Sequence, residues 1–299
     1  MKILIAEDDT TSRLLLGATL KKMGHDVTAA RDGDEAWDLF QKEEFPLLIS
    51  DWMMPGREGP ELCRLIRAAE RSRYTCVLVL TARDGRESYL EAMDAGADDV
   101  ITKPFDEDQL AARLRVAQRI LDLHERLRTQ ALHDALTGLW NRGAILERLG
   151  QELSRATREN RSVGVVLADL DHFKQINDTH GHAAGDAVLR EAAHRMRAAL
   201  RPYDGVGRYG GEEFLMLVPG CGAAEAGRVA ERVRCSLADS PIQIGENTLL
   251  VTSSLGVAVS RIGQPTNADT LVQGADTALY QAKADGRNRV AVAVAAGND

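Results

Sequence analysis

No apolar run in the 299-residue chain approaches the length of a membrane span, so no membrane-crossing helix is expected. Positive charge is not in excess either. Lys and Arg number 37 against 45 Asp and Glu, a formal net charge of −8. A nucleic-acid binder usually carries a basic patch, so that class is set aside; an anionic nucleotide needs only a few local cations and a metal. Cysteine is scarce. Cys63, Cys76, Cys221 and Cys235 show no metal-ligand spacing and read as reduced thiols of a cytoplasmic protein. Internal repeats and low-complexity tracts are missing too. The opening MKILIA is too short for a signal-peptide core and runs at once into acids, so it reads as a first strand. What remains is the composition of a globular protein, 44% hydrophobic and 27% charged, long enough for two cored domains.

The first 120 or so residues alternate between strand-like apolar runs and amphipathic stretches. Strands are predicted at Ile3–Ala6, Asp26–Ala29, Leu47–Ser50, Cys76–Leu80 and Asp99–Ile101, and helices at Thr11–Met23, Gly33–Glu43, Glu58–Ala69, Arg86–Ala95 and from near Asp106. This alternation implies a doubly wound five-stranded parallel sheet, with its active crevice at the carboxyl ends of the strands. The last helix runs on without Gly or Pro from Gln109 to Leu132. Val116, Ile120, Leu123 and Leu127 form a coiled-coil stripe, which reads as a linker pairing with its copy in a homodimer. From about His133 the pattern is mixed α+β. Helices are predicted at Arg142–Glu159, Ala184–Leu200, Ala223–Ala238 and Ala268–Ala284, and strands at Val163–Asp169, on both sides of Gly210-Gly211, and over Thr248–Val259. The expected organisation is a first domain over 1–122, a helical linker over 106–132, a second domain over 133–292 and a flexible tail over 293–299.

In the first domain Glu7, Asp8 and Asp9 end the first strand, Asp51 ends the third, Thr81 follows the fourth and Lys103-Pro104 follows the fifth. Each acid alone could be a helix cap. Together they converge on one sheet edge, where clustered carboxylates repel unless a cation sits among them. That predicts a Mg²⁺ site, with Thr81 and Lys103 facing a phosphoryl group that Asp51 accepts. Over residues 1–122 the chain resembles the receiver domain of two-component response regulators. The resemblance implies phosphorylation of Asp51 by a cognate histidine kinase. It also implies metal binding by Asp8, Asp51 and the Met53 carbonyl with Glu7 completing the pocket, and contacts of Thr81 and Lys103 to the phosphoryl oxygens. The family's usual aromatic switch residue is replaced by Val100, which departs from the aromatic-swing relay.

In the second domain the stretch Arg208-Tyr-Gly-Gly-Glu-Glu-Phe214 sets two flexible residues against two acids. A glycine turn with exposed glutamates is one reading. The other is a close approach of phosphate to bare backbone, with carboxylates holding a metal. The surrounding motifs decide between them. Asp169 and Glu212 offer metal ligands, and Lys174, Lys283 and Arg287 offer cations for phosphates. Asn177 and Asp186 can read a base edge. A carboxylate accepts from the N–H donors of guanine, whereas adenine would leave it unpaired. The set, with the opening motif Asp134-Ala-Leu-Thr-Gly-Leu-Trp-Asn-Arg142, resembles the GGDEF diguanylate cyclase family in its GGEEF form over about 133–292.

That resemblance implies condensation of two GTP into cyclic di-GMP and two pyrophosphates by a dimer with one GTP half-site per protomer. Gly210-Gly211 would lie under the triphosphate. Asp169, the Leu170 carbonyl and Glu212 would bind Mg²⁺ or Mn²⁺, with Glu213 serving a second metal or the nucleophile. Amides near Phe173, with Lys174, Lys283 and Arg287, would hold phosphates, and Asn177 and Asp186 would recognise guanine. Arg201-Pro-Tyr-Asp204 lies at the position of the family's inhibitory product site, and Arg232 is a third member by spacing. Alternative readings are a catalytically weak receptor for cyclic di-GMP, a cyclase making a cyclic mononucleotide, and a DNA-binding regulator. The intact acids and cations, the guanine-reading pair and the lack of a basic recognition helix weigh against them in turn.

Overall fold

The structure, a computed structural model, describes residues 1–69, 71–82, 86–245 and 247–293. The expected tail from 294 to 299 lies outside them. The chain divides into two compact units, Met1–Thr129 and Gln130–Asp299. No helix among the described residues is long and apolar enough to cross a membrane.

The first unit alternates β1 (Lys2–Ala6), α1 (Thr10–Lys22), β2 (Asp26–Ala30), α2 (Gly33–Lys42), β3 (Leu47–Asp51), α3 (Gly59–Ala68), β4 (Cys76–Thr81), α4 (Arg86–Asp94), β5 (Asp99–Thr102) and α5 (Glu107–Leu132). All pairings are parallel, in the order β2-β1-β3-β4-β5. Side-chain alternation along each strand sorts the apolar residues onto two faces. Ile3, Ile5, Ile49, Leu78 and Leu80 pack with Leu16 and Leu20 of α1 and Leu110 and Leu114 of α5. Leu4, Leu48, Val77 and Val79 pack with Ala36 and Phe40 of α2, Leu62 and Ile66 of α3 and Ala92 of α4. Both faces are covered, as a parallel sheet requires. Asp9 and Asp32 cap α1 and α2 by accepting from the amides of Ser12 and Glu35.

In α5 the residues buried against the sheet end at Ala117. Beyond it Leu123 and Leu127 are 58% and 62% exposed, so the apolar stripe continues past the core that explains its first turns. His124 stacks on Tyr74 at 3.8 Å between ring centres.

The second unit comprises α6 (Arg142–Glu159), β6 (Val163–Leu170), α7 (Phe173–His180), α8 (His182–Ala199), β7 (Gly205–Arg208), β8 (Glu213–Pro219), α9 (Ala223–Ala238), β9 (Ile242–Ile244), β10 (Asn247–Leu249), β11 (Ser253–Val259), α10 (Ala268–Ala284) and β12 (Val290–Val292). Its main sheet runs β12-β11-β6-β8-β7, antiparallel except for β11 with β12. One face packs on α8 and α9 through Val166, Ala168, Phe214, Met216, Leu255 and Val257. The other packs on α6 and α10 through Val165, Leu167, Leu215 and Leu217. Helix α10 lies so close to β11 that a Cβ on Gly256 would meet the Ala275 carbonyl oxygen at 2.0 Å.

Two expectations change here. The single strand over Thr248–Val259 is two strands. β10 pairs with β9 in a separate hairpin, and only β11 joins the main sheet. Leu250 is exposed between them, and the Thr252 carbonyl accepts from the amide of Asp171, which turns the chain toward β6. The helix expected from Ala184 begins at His182, and a further helix, α7, precedes it. Asn177 and Asp178 suit turns, but Phe173 packs into the core and tertiary burial overrides their local preference. The junction between the two helices is Gly181, at φ 81°.

Candidate functional site

In the first unit a parallel sheet aims every strand the same way, so the residues at the ends of β1, β3, β4 and β5 share one edge. Glu7, Asp8 and Asp51 each offer a carboxylate oxygen, and these oxygens lie within 4.8 Å of one another. Lys103 Nζ reaches Glu7 Oε2 at 2.7 Å and Asp51 Oδ1 at 2.9 Å. Glu7 is 1% exposed. Burial pushes its carboxyl above the ordinary value, and the neighbouring charge of Asp51 adds to this while Lys103 opposes it. Burial works to depress the Lys103 ammonium, but the bonds and charges of Glu7 and Asp51 outweigh it and raise it. Thr81 is buried at the end of β4, and Met53 is exposed in the loop after β3. Val100 is buried in the sheet core. The acids exceed the single ammonium in charge, a donor set that fits a hard divalent cation.

In the second unit the acids come from antiparallel neighbours. Asp169 near the end of β6 pairs in register with Glu213 at the start of β8. The turn between β7 and β8 is closed by the amides of Tyr209 and Gly210, which both donate to the Glu213 carbonyl, at 2.8 and 3.2 Å. A Cβ on Gly210 would lie 2.5 Å from Glu213 Oε2, whereas one on Gly211 would meet nothing within 4 Å. Gly211 thus has open space where a side chain would stand. Leu170 donates its amide to the Glu212 carbonyl at 3.3 Å, joining the strand end to the turn.

Lys283 Nζ, in the last turn of α10, sits 2.7 Å from Asp169 Oδ2. Burial raises the Asp169 carboxyl; Lys283 opposes this and Asp171 adds to it. Glu213 is also raised, by burial first and then by Asp169, with Asp276 contributing. A buried and a half-buried carboxylate in register, with one ammonium on the first, again fit a divalent cation. Among the described residues, Asp169, Glu212 and Glu213 do not close into a cluster as tight as that of the first unit.

Beside this edge lies a cavity of about 440 Å³. Phe173, Lys174, Asn177, Asp186, Gly211 and Glu212 line it, gathering six predicted residues from α7, α8 and the turn. Asp169, Glu213, Gly210, Lys283 and Arg287 are not in its wall. Lys283 and Glu213 adjoin Asp169, and Arg287 is close enough for its charge to act on that carboxyl.

The sequence reading passed over three further wall residues: His182, Leu189 and Arg208. Arg208 Nη2 donates to the Gly211 carbonyl at 2.7 Å, and Nη1 pairs with Asp134 Oδ2 at 3.2 Å. Asp134 also accepts from the Thr137 amide and hydroxyl, at 2.8 and 2.7 Å. The glycine turn is therefore braced from the opening motif of the unit. Both residues stood at the heads of their motifs in the sequence, but nothing local there joins one to the other.

The remaining predicted group lies at the C-terminal end of α8. Arg201 donates its amide to Asp204 Oδ2 at 2.9 Å, and its guanidinium reaches Glu225 Oε1 at 3.0 Å and the Tyr203 hydroxyl at 2.9 Å. Arg232 Nε donates to the Ala199 carbonyl at 2.6 Å, two residues before Arg201 in sequence. Asp204 Oδ1 is buried with no hydrogen-bond partner.

Comparison with known proteins agrees with this geometry. Residues 131–289 match the diguanylate cyclase GGDEF domain, and residues 3–115 match the response regulator receiver domain. The chain belongs to the GGDEF diguanylate cyclase family. This GGDEF protein is 37% identical over 242 residues to the response regulator PleD of Caulobacter vibrioides, covering 78% of this chain and 53% of PleD. The chain thus spans about half the length of that curated relative. Among solved structures, the diguanylate cyclase SiaD from Pseudomonas aeruginosa, in complex with its activator SiaC, is 44% identical with a TM-score of 0.53, covering 62% of this chain and 71% of SiaD. The coiled coil and GGDEF domain of DgcB from Caulobacter crescentus, in complex with c-di-GMP, is 31% identical with a TM-score of 0.57, covering 62% of this chain and 98% of that one.

Proposed function

We propose that the protein is a phosphorylation-regulated diguanylate cyclase that condenses two GTP into cyclic di-GMP with release of two pyrophosphates. The observation that carries this is the shared cavity. Asn177 and Asp186, suited to a guanine edge, line the same 440 Å³ space as Lys174 and the Gly211-Glu212 turn. A purine fits at one end and a triphosphate can lie over a backbone that has no side chain in its way. Asn177 and Asp186 orient the base. Lys174 and the amides at the start of α7 hold phosphate, with Lys283 and Arg287 reaching from the end of α10. Asp169, Glu212 and the Leu170 carbonyl would hold Mg²⁺ or Mn²⁺, with Glu213 beside them. Such an ion lowers the pKa of the attacking ribose 3′-hydroxyl and screens charge on the α-phosphate. Lys283 keeps Asp169 satisfied in the free chain and turns to phosphate when substrate is present.

One cavity takes one GTP, so the second comes from a facing protomer. Helix α5 supports a homodimer, because its exposed Leu123 and Leu127 continue an apolar stripe that a second copy would cover. In the first unit Asp51 accepts the phosphoryl group from a cognate histidine kinase. Asp8, Asp51 and the Met53 carbonyl would hold Mg²⁺, with Glu7 completing the pocket, and Thr81 and Lys103 would face the phosphoryl oxygens. Phosphorylation then changes pairing of the receiver domains and the linker brings the half-sites together. Arg201, Asp204 and Arg232 form a feedback site for cyclic di-GMP, the guanidinium groups suiting phosphate and the carboxylate suiting guanine N–H donors.

The test is GTP turnover by protein stripped of nucleotide, with Mg²⁺, with and without beryllium fluoride. Cyclic di-GMP that rises with beryllium fluoride is expected. Equal rates would remove the switch and keep the enzyme. No product in either sample would replace the cyclase with a cyclic di-GMP receptor.

A further inference from the structure

Asp171 lies just past the end of β6 and is 5% exposed, and none of the chemistry above uses it. Its carboxylate is occupied by uncharged donors. The Thr252 hydroxyl donates to Oδ2 at 2.8 Å, and the Ser254 hydroxyl donates to Oδ1 at 2.7 Å. A third donor comes from far along the chain: the backbone N–H of Asn288 reaches Oδ2 at 3.0 Å. The lysine of this edge goes to Asp169 instead.

The Asn288 amide belongs to an unusual turn. Gly286, Arg287 and Asn288 take φ of 115°, 61° and 44° in succession. Only glycine visits this region freely, so two side-chain-bearing residues in a row must be held there by their surroundings. Hydrogen bonds from several segments hold them. Arg287 N donates to the Ala282 carbonyl at 3.1 Å. Arg234 of α9 donates to Asn288 Oδ1 at 2.7 Å. Asp171, itself buried, takes the Asn288 amide. The turn follows α10, whose last turn carries Lys283, and it leaves Arg287 near enough for its charge to act on Asp169.

We infer that Asp171 is a positioning residue for substrate, which fixes the Gly286–Asn288 turn through the Asn288 amide so that Arg287 meets the triphosphate. The inference rests on the reading of this site as a GTP site. Asp171 acts as a buried acceptor: Oδ2 takes two protein donors and Oδ1 takes one.

The test measures binding of α,β-methylene GTP and of guanosine to the full chain with Mg²⁺ by calorimetry. Asp171→Ala is expected to weaken the triphosphate analogue about tenfold or more, as is Arg287→Ala, with guanosine affinity unchanged. The double variant should be no weaker than Arg287→Ala alone, because one residue acts through the other. Asp171→Asn should stay within about threefold of the original, since its amide oxygen can take the Asn288 amide while its NH₂ donates to Ser254. Additive losses in the double variant would overturn the positioning role. So would an Asp171→Asn as weak as Arg287→Ala, which would assign the carboxylate a charge or metal role; that variant carries the test even if Asp171→Ala does not fold. Failure of the unmodified chain to bind the analogue overturns the GTP reading and this inference together. Binding by the unmodified chain with undiminished affinity in Asp171→Ala overturns this inference alone.

Discussion

Each unit gathers carboxylates and a lysine at the end of a buried strand, but the two lysines are used differently. Lys103 bridges Glu7 and Asp51, whereas Lys283 serves Asp169 alone. The difference follows from strand direction. In a parallel sheet all carboxyl ends lie on one edge, so residues following β1, β3 and β5 must meet there, and the acids close within 4.8 Å. In an antiparallel sheet the end of one strand faces the start of the next. Asp169 then meets Glu213 at the start of β8, and among the described residues the acids there do not close as tightly. The first site is a compact receptacle for one small group, and the second is an edge beside a cavity large enough for a nucleotide.

The largest expected effect separates the two lysines. Asp169→Asn should cut GTP turnover by about a thousandfold or more, since on the proposed reading it removes a metal ligand and frees Lys283. The matching change Asp51→Asn leaves Lys103 on Glu7 and should abolish only the response to beryllium fluoride. Turnover assays on both variants would break the comparison if Asp169→Asn stayed active.

The glycine turn comes next. Gly211→Ala meets no atom within 4 Å and should melt like the original, yet lose about tenfold or more in affinity for a GTP analogue. Gly210→Ala would press on Glu213 and should lower both melting temperature and turnover. Equal behaviour of the two would mean that the turn does not face the ligand. A smaller effect is expected at the C-terminal end of α8: Arg201→Ala should weaken cyclic di-GMP binding about tenfold in calorimetry and leave the GTP analogue unaffected.

The smallest effect concerns pH. The folded carboxyl of Glu213 is raised above its ordinary 4.5 by burial and then by Asp169. Its protonation therefore favours the fold below that ordinary value, and the benefit is lost as pH rises through the raised one. Glu213→Gln has no such loss. Its melting temperature should exceed the original's near neutral pH, with the gap closing as pH falls toward 4.5. Mg²⁺ should narrow the gap at neutral pH by stabilising only the original. A gap that ignored both pH and Mg²⁺ would sink the account of a site strained for metal.

Much of this was legible in advance. The five strands of the first unit were found within one or two residues, because a parallel sheet buried on both faces writes each strand as a short apolar run. Helices α6, α9 and α10 were found with their ends, where Asn141 and Asn267 cap the first and last of them. Helix α7 was not, because it is short, starts without a side-chain cap after His172 in a left-handed conformation, and carries turn-forming Asn177 and Asp178. The break before β11 was missed because Leu249, Leu250 and Val251 are apolar in unbroken succession, and only Asp171 from another segment shows where the chain turns.

The amino-acid sequence by itself determined which side chains carry charge, where the backbone is bare, and that two units follow one another. These properties are local: a strand's alternation, a helix's stripe and a motif's spacing are set by neighbours in the chain. Only the tertiary structure decided that Arg208 reaches from Asp134 to Gly211, that Lys283 rests on Asp169, and that Asp171 holds an amide 117 positions away. Those pairings depend on which faces of the sheet the helices cover, and a hydrogen-bond donor carries no local mark of the distant acceptor it will satisfy.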